Sequence, residues 1–177
     1  MCVIDGMDKT LFIPKSAGNS VKIIEDDDFI NYTDPIEFVD LGLSSGTLWM
    51  KCNIGAEKET DYGLFFQWGD TVGYDESTAA AHSLESTCPG YGDYTTWGTD
   101  NLTIRVLNAS VDAAAVHTNE KAKMPTLDQV KELVDGTNSE RTTIDGVGGR
   151  KFTNKSDSSK YIFIPATGYF TDGTRFG

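Results

Sequence analysis

Acid–base, nucleophilic and metal chemistry draw on a short list of residue types, and this sequence is poor in most of them. Its only histidines are His82 and His117, and its only cysteines are Cys2, Cys52 and Cys88. Imidazole relays and His-rich metal sites need a second titrating group or ligand within reach. His82 lies in a polar Ala/Ser stretch and His117 follows Asp112-Ala113-Ala114-Ala115-Val116, so both read as structural residues. A cysteine nucleophile needs a base to hold it as thiolate, and none neighbours Cys88, which reads as a loop thiol. Three cysteines without C-x-x-C spacing indicate neither a disulfide framework nor a zinc site. Free thiols are expected, with a Cys52–Cys88 bridge as the alternative. Paired carboxylates hydrolyse glycosides, yet among 27 Asp and Glu some pairs are unavoidable, and Asp26-Asp27-Asp28 reads as linker. No His-Glu-x-x-His helix, phosphate-binding loop or alternating-acid calcium loop occurs, and the Gly146, Gly148 and Gly149 cluster reads as a hairpin turn. These residues predict a protein that is not an enzyme and holds no metal and no cofactor.

Aromatic side chains are the better supplied class, at 11% of the chain. Tyr91, Tyr94 and Trp97 sit among glycines and threonines in an irregular stretch, where rings can stack on sugar faces or pack beneath a long loop. They are the predicted ligand-binding residues. Trp49, Phe65, Phe66 and Trp68 lie in denser apolar runs and are expected in the core, each contributing roughly 1.5–3 kcal/mol on burial. The run Thr60 to Gly69 has four aromatics in seven positions, more than a solvated loop would hold.

The elements that would position these groups follow from composition and pattern. The chain has 177 residues, 38% of them hydrophobic, which suits one domain with a short appendage. Eighteen glycines and few long helical periodicities favour strands joined by turns. A net charge of −12 repels phosphate backbones and anionic membranes, so no nucleic acid is expected as a partner. No run approaches the ~20 apolar residues of a membrane span, so membrane insertion is not expected either.

At the N-terminus, Leu11, Phe12 and Ile13 and then Val21, Ile23 and Ile24 form two β-prone runs around a Gly/Asn turn, a predicted hairpin. Glu25-Asp26-Asp27-Asp28 and Thr33-Asp34-Pro35 then place a linker and a boundary near residue 34. An isolated hairpin is marginal in water. Residues 1–34 therefore read as an attachment arm with those six apolar residues as the assembly anchor; docking onto the chain's own domain is the alternative. Residues 35–177 read as the display domain.

Within that domain Ile36 to Leu41 and Thr47 to Cys52 are expected to pair around Ser44-Ser45-Gly46. Residues 70–123 read as loop-rich, with a short strand over Asn101 to Leu107. A helix is predicted over 127–135, with Thr126 and Gln129 forming a capping box, Gly136 as stop, and Leu127, Val130, Leu133 and Val134 as its buried face. Antiparallel strands are expected at Arg141 to Ile144, Arg150 to Thr153 and Tyr161 to Ile164, and the chain closes on a turn-like Gly168 to Gly177. The predicted class is α+β, mostly antiparallel, with one clear short helix.

Five blocks in order carry a resemblance: Glu37 to Trp49, Cys52-Asn53-Ile54-Gly55-Ala56, Asp61 to Gly69, Met124-Pro125-Thr126, and Ile162 to Tyr169. Over about residues 36–170 the sequence resembles the repeated surface domain abundant in Bacteroidales and related to the Fibrobacter succinogenes major paralogous domain. The resemblance implies a distant relative of C-type-lectin-like folds, a display scaffold whose late loops bind ligands. Two departures from the family matter, the missing closing segment and the missing export signal, and a calcium-lectin signature is absent as well. The Glu-Pro-Asn or Gln-Pro-Asp plus Trp-Asn-Asp signature of calcium-dependent sugar binding does not occur, and the family's closing Tyr-Trp-Ser-Ser-like segment is absent, so the domain is expected to be incomplete at its C-terminal side. The first residues lack the basic and apolar regions of a secretory signal. Together these imply a structural and binding protein of a bacteriophage virion, a fibre or decoration protein with an N-terminal anchor and a host-surface-binding domain. It would be a homo-oligomer, a trimer, contacting other virion proteins through its arm and a cell-surface glycan through its domain. The alternative is a bacterial surface or secreted adhesin or carbohydrate-binding module.

Overall fold

The computed structural model describes residues 36–83 and 106–177, together with the backbone of Val3–Ile4. The fold is α+β with mostly antiparallel strands, as the sequence patterning predicts. A three-stranded sheet at its centre has the order β1 (Val3–Ile4), β3 (Leu48–Met50), β2 (Phe38–Asp40). The turn between β2 and β3 includes Ser44-Ser45-Gly46, as the sequence suggests, and Gly46 N–H donates to the Leu43 carbonyl at 3.0 Å. The pairing of Val3 with Trp49 and Ile4 with Leu48 ties the chain's beginning to the edge of this sheet, a strand that the sequence patterning does not predict.

Side chains alternate across a strand, so this small sheet separates two apolar clusters. Val39 and Trp49, paired across the ladder, face one side, where Leu41, Leu43, Leu133, Phe152 and Ile162 complete the larger core. Phe38 and Met50, the next pair, face the other, against Ile54, Ala114, Ala122, Leu64 and Phe66. Helix α1 (Ala113–His117) supplies that second side. Buried Asp112 caps it, accepting from Ala114 N–H at 2.8 Å and Ala115 N–H at 3.4 Å, and its other oxygen accepts from Met124 N–H at 2.8 Å. This helix falls where the sequence reads as loop, because five residues are too few to show a period.

Helix α2 (Leu127–Gly136) has the predicted capping box, with both the Thr126 and Gln129 halves formed. Its buried face differs from expectation. Leu133 is 1% exposed, but Leu127, Val130 and Val134 are 56%, 39% and 49% exposed. At about 100° per residue, the inward side (Gln129, Glu132, Leu133, Gly136) is turned roughly 140° from the apolar stripe. Two contacts fix that rotation. Glu132 accepts from Ser44 Oγ at 2.7 Å, Ser45 N–H at 2.8 Å and Ser45 Oγ at 2.5 Å. Gly136 lets Leu43 approach so closely that an added Cβ would lie 2.7 Å from it.

Directly after α2 comes a second sheet, β4 (Thr137–Ile144), β5 (Val147–Asn154) and β6 (Tyr161–Pro165), antiparallel in chain order. Asp145 and Gly146 form its first turn with φ of 48° and 82°, the left-handed pair that a two-residue type I′ hairpin requires. A last hairpin, β7 (Tyr169–Thr171) and β8 (Thr174–Phe176), turns the same way on Asp172-Gly173, in the stretch the sequence reads as turn-like. Arg175 clasps it to the body: its guanidinium donates to Glu76 and to the Thr167 carbonyl and lies 5.0 Å from the Tyr62 ring centre. No helix among the described residues is long and apolar enough to cross a membrane.

The aromatic run departs from expectation too. Trp49 is fully buried, but Phe65 and Phe66 are half-buried and Trp68 is 40% exposed. The reason is geometric. The run is an irregular strand-like crossing, bridged to Tyr74 only at Phe65, so its side chains meet packed neighbours on one side. Phe65 meets Phe170 edge-on at 5.0 Å, and Phe66 meets His117 at 5.3 Å.

Candidate binding groove

The predicted ligand-binding residues Tyr91, Tyr94 and Trp97, and the predicted anchor residues Leu11, Phe12, Ile13, Val21, Ile23 and Ile24, lie outside the described residues. So does the strand expected from Asn101, except that Val106 and Leu107 are described and are not in a strand. Of the groups weighed for chemistry, His82 stacks on Tyr74 with ring centres 3.9 Å apart, and His117 Nε2 lies 2.9 Å from the Thr71 carbonyl. Cys52 is free, and burial, followed by the nearby Glu59 charge, pushes its thiol above the ordinary range, which leaves it a poor nucleophile. Gly42-Leu43-Ser44-Ser45-Gly46 has the Gly-x-Ser-x-Gly spacing of a nucleophile elbow. That motif needs a strand-to-helix turn and a base. Here the serine sits on a turn between two strands, its hydroxyl donated to Glu132.

A concavity lies on the β4–β6 sheet. Where the core ends, the same face of the sheet continues toward the β4–β5 turn as an open groove of about 770 Å³. Register builds it. Ser139 pairs with Phe152, Arg141 with Arg150 and Thr143 with Gly148, so these six share one face. Phe152 belongs to the core and Ile164, paired with Arg150, packs against the core's edge. Beyond them the face opens: Gly148 has nothing within 4 Å of the place its Cβ would occupy. Pro165 and Ala166 form the rim, held where Ala166 N–H donates to the Gly148 carbonyl at 2.9 Å.

Two guanidinium groups side by side are the groove's distinguishing chemistry. Like charges directly opposite on an antiparallel pair destabilise it, by an amount of the order of 0.2–1 kcal/mol. Arg150 donates through Nη1 to Ser139 Oγ at 3.0 Å, and Arg141 has no hydrogen-bond or ion-pair partner among the described residues. In a chain of net charge −12, neither arginine has a carboxylate partner among those residues. Such a pair favours an arriving anion, which each planar fork can grip with two parallel hydrogen bonds.

Three residues past the rim, β7 and β8 present a second feature. Tyr169 and Phe176, opposite each other in the ladder, stack with centres 5.6 Å apart and planes 18° from parallel. Both are exposed, at 61% and 46%. No family model, curated protein or solved structure matches the chain.

The arginine pair is absent from the predicted site, although a signal for it exists. Asp145-Gly146 is the strongest short hairpin sequence, and centring the turn on those two residues sets Arg141 opposite Arg150. Reading the turn as the five residues from Asp145 to Gly149 hides the pairing. On the opposite face, Tyr161 donates its hydroxyl to Glu59 at 2.9 Å, and that bond raises the phenol's pKa. Lys151 caps the same ring, 4.1 Å from its centre, so that face is filled by its own side chains.

Proposed function

We propose that this protein is a structural and binding module of a bacteriophage virion, a fibre or decoration protein whose domain binds the surface of a Bacteroidales host. The family resemblance over residues 36–170 supplies the display role, and the observation that carries binding is the open groove with its cross-strand Arg141 and Arg150. Its volume lies in the range of about 300–1,000 Å³ usual for ligand sites, and it is built on a paired sheet, which holds its shape before a ligand arrives. Residues 1–34, of which Val3–Ile4 pair with the domain's own sheet, would attach the domain to the particle as part of a trimer. Binding of the fluorescently labelled chain to intact Bacteroidales cells, with capsule-deficient strains alongside, tests the reading. Labelling that depends on surface polysaccharide supports it, and absence of labelling across strains refutes it. Neighbouring genes for capsid and tail proteins are expected; neighbouring polysaccharide-utilisation genes favour the adhesin instead.

A further inference from the structure

We propose that the β4–β6 groove binds an acidic glycan, a saccharide carrying spaced carboxylates of the uronate type, with Arg141 and Arg150 on the carboxylate and the Tyr169–Phe176 pair on an adjoining sugar ring. The inference rests on the surface-binding reading above and names its ligand class.

Three observations converge on that chemistry. Arg141 and Arg150 are directly opposite, and no carboxylate neutralises them among the described residues. They call for an anion. The walls beside them are apolar, from Ile164, Pro165 and the edge of Phe152, while Ser139 and Thr143 on the same face offer hydroxyls. A bare inorganic anion would leave the apolar walls unused, whereas a sugar ring has both a C–H face and hydroxyls. The third is the exposed aromatic pair: Tyr169 is three residues from Ala166 on the rim, so the chain places it within about 11 Å of the groove. Aromatic faces exposed beside a polar groove suit the C–H face of a sugar in the way they suit other flat amphipathic partners.

The chain's own charge narrows the ligand further. With a net charge of −12, a dense polyanion is repelled as it approaches, and nucleic acid or heavily sulfated chains fall in that class. A glycan in which each uronate is separated from the next by neutral sugars presents a single charge to the arginine pair while the sugars beside it stay neutral. Beyond the screening length of about 8 Å at physiological salt, the protein's acidic surface then matters little.

The test titrates the full chain with a panel of oligouronates, each a short oligosaccharide with one uronate among neutral sugars, together with their neutral methyl esters, an acidic peptide and inorganic phosphate, reading calorimetric heat and amide NMR shifts. Oligouronate is expected to bind and to shift residues 141–143, 148–150 and 166–169. The methyl ester and the double variant Arg141→Gln/Arg150→Gln are each expected to lose about tenfold or more in affinity, the loss of a charge-assisted pair. Tyr169→Ala is expected to lose several-fold while the arginines still respond. Both arginines are exposed, so the double variant is expected to fold, and its unchanged far-ultraviolet spectrum checks that. Equal binding of acid and ester, an unaffected double variant, binding of the peptide or phosphate in place of the sugar, or no binding overturns the proposal. The same variant in the cell assay separates the two claims. Wild type and variant labelling cells equally leaves host binding standing and removes the groove; oligouronate binding without cell labelling does the reverse.

Discussion

Gly148 and Gly149 are neighbours in β5, but the structure predicts opposite outcomes for the same substitution. Gly148→Ala places a methyl group on the groove face, where nothing lies within 4 Å, at a φ outside the left-handed region. The folded state loses nothing and the unfolded chain loses freedom, so stability should rise by about 0.4–1 kcal/mol. Gly149→Ala points the other way. Its Cβ would collide with the Ile164 carbonyl oxygen on the paired strand and with the ring of Phe163, which is 2% exposed. A ladder carbonyl cannot retreat without straining the β5–β6 pairing, and a buried ring has little room. Overpacking of this kind costs about 1–3 kcal/mol. The two variants should therefore differ by roughly 2–3 kcal/mol, and with a urea slope of about 2 kcal/mol/M their midpoints should lie about 1 M apart. Urea unfolding followed by circular dichroism measures this, with the slopes required to match wild type. Midpoints that coincide, or a more stable Gly149→Ala, would show that the register of β5 on β6 is wrong and with it the face that carries the arginines.

Leu133→Ala should cost about 2–5 kcal/mol because Leu133 is the α2 residue sealed in the core, while Leu127→Ala and Val134→Ala on the exposed stripe should stay within about 0.5 kcal/mol; thermal melts compare them. Thr126→Ala removes the capping-box acceptor and should cost about 0.5–2 kcal/mol in the same assay. The hydroxyls of Ser45 and Ser44 hold the Glu132 carboxyl below its ordinary value of 4.5. A folded-state pKa lowered in this way gives stability that is full above pH 4.5 and is lost as pH falls through the lower folded value. The amides of residues 44–46 should titrate in that acid window by NMR, and Glu132→Gln should abolish the response.

Local signals in the sequence predicted local structure well. The capping box at Thr126, the β2–β3 pairing around its Gly-containing turn, and the β4, β5 and β6 strands all follow from residues close to one another in the chain. What failed was inference about which side faces inward. The apolar stripe Leu127, Val130 and Val134 is the natural buried face of α2, but a polar clamp from Glu132 to Ser44 and Ser45, 88 and 87 residues away, sets the rotation instead. Trp68 shows the same lesson, since aromatic density predicts a need for partners without locating them. The groove was half legible: both Asp-Gly turns were readable, but the opposition of Arg141 and Arg150 appears only after the turn length is set to two residues. The exposed Tyr169–Phe176 pair depends on the second of these turns, which a turn-like reading of Gly168 to Gly177 does not resolve into two strands.

The most direct test of the binding account is an amide NMR comparison of the chain alone and with purified host capsular polysaccharide. The account predicts shifts concentrated at Arg141 to Thr143, Gly148 to Arg150 and Ala166 to Tyr169, and their loss in Arg141→Gln/Arg150→Gln. Shifts confined to other surfaces, such as the Leu127 to Val134 stripe, or a spectrum unchanged at saturating polysaccharide, would contradict it.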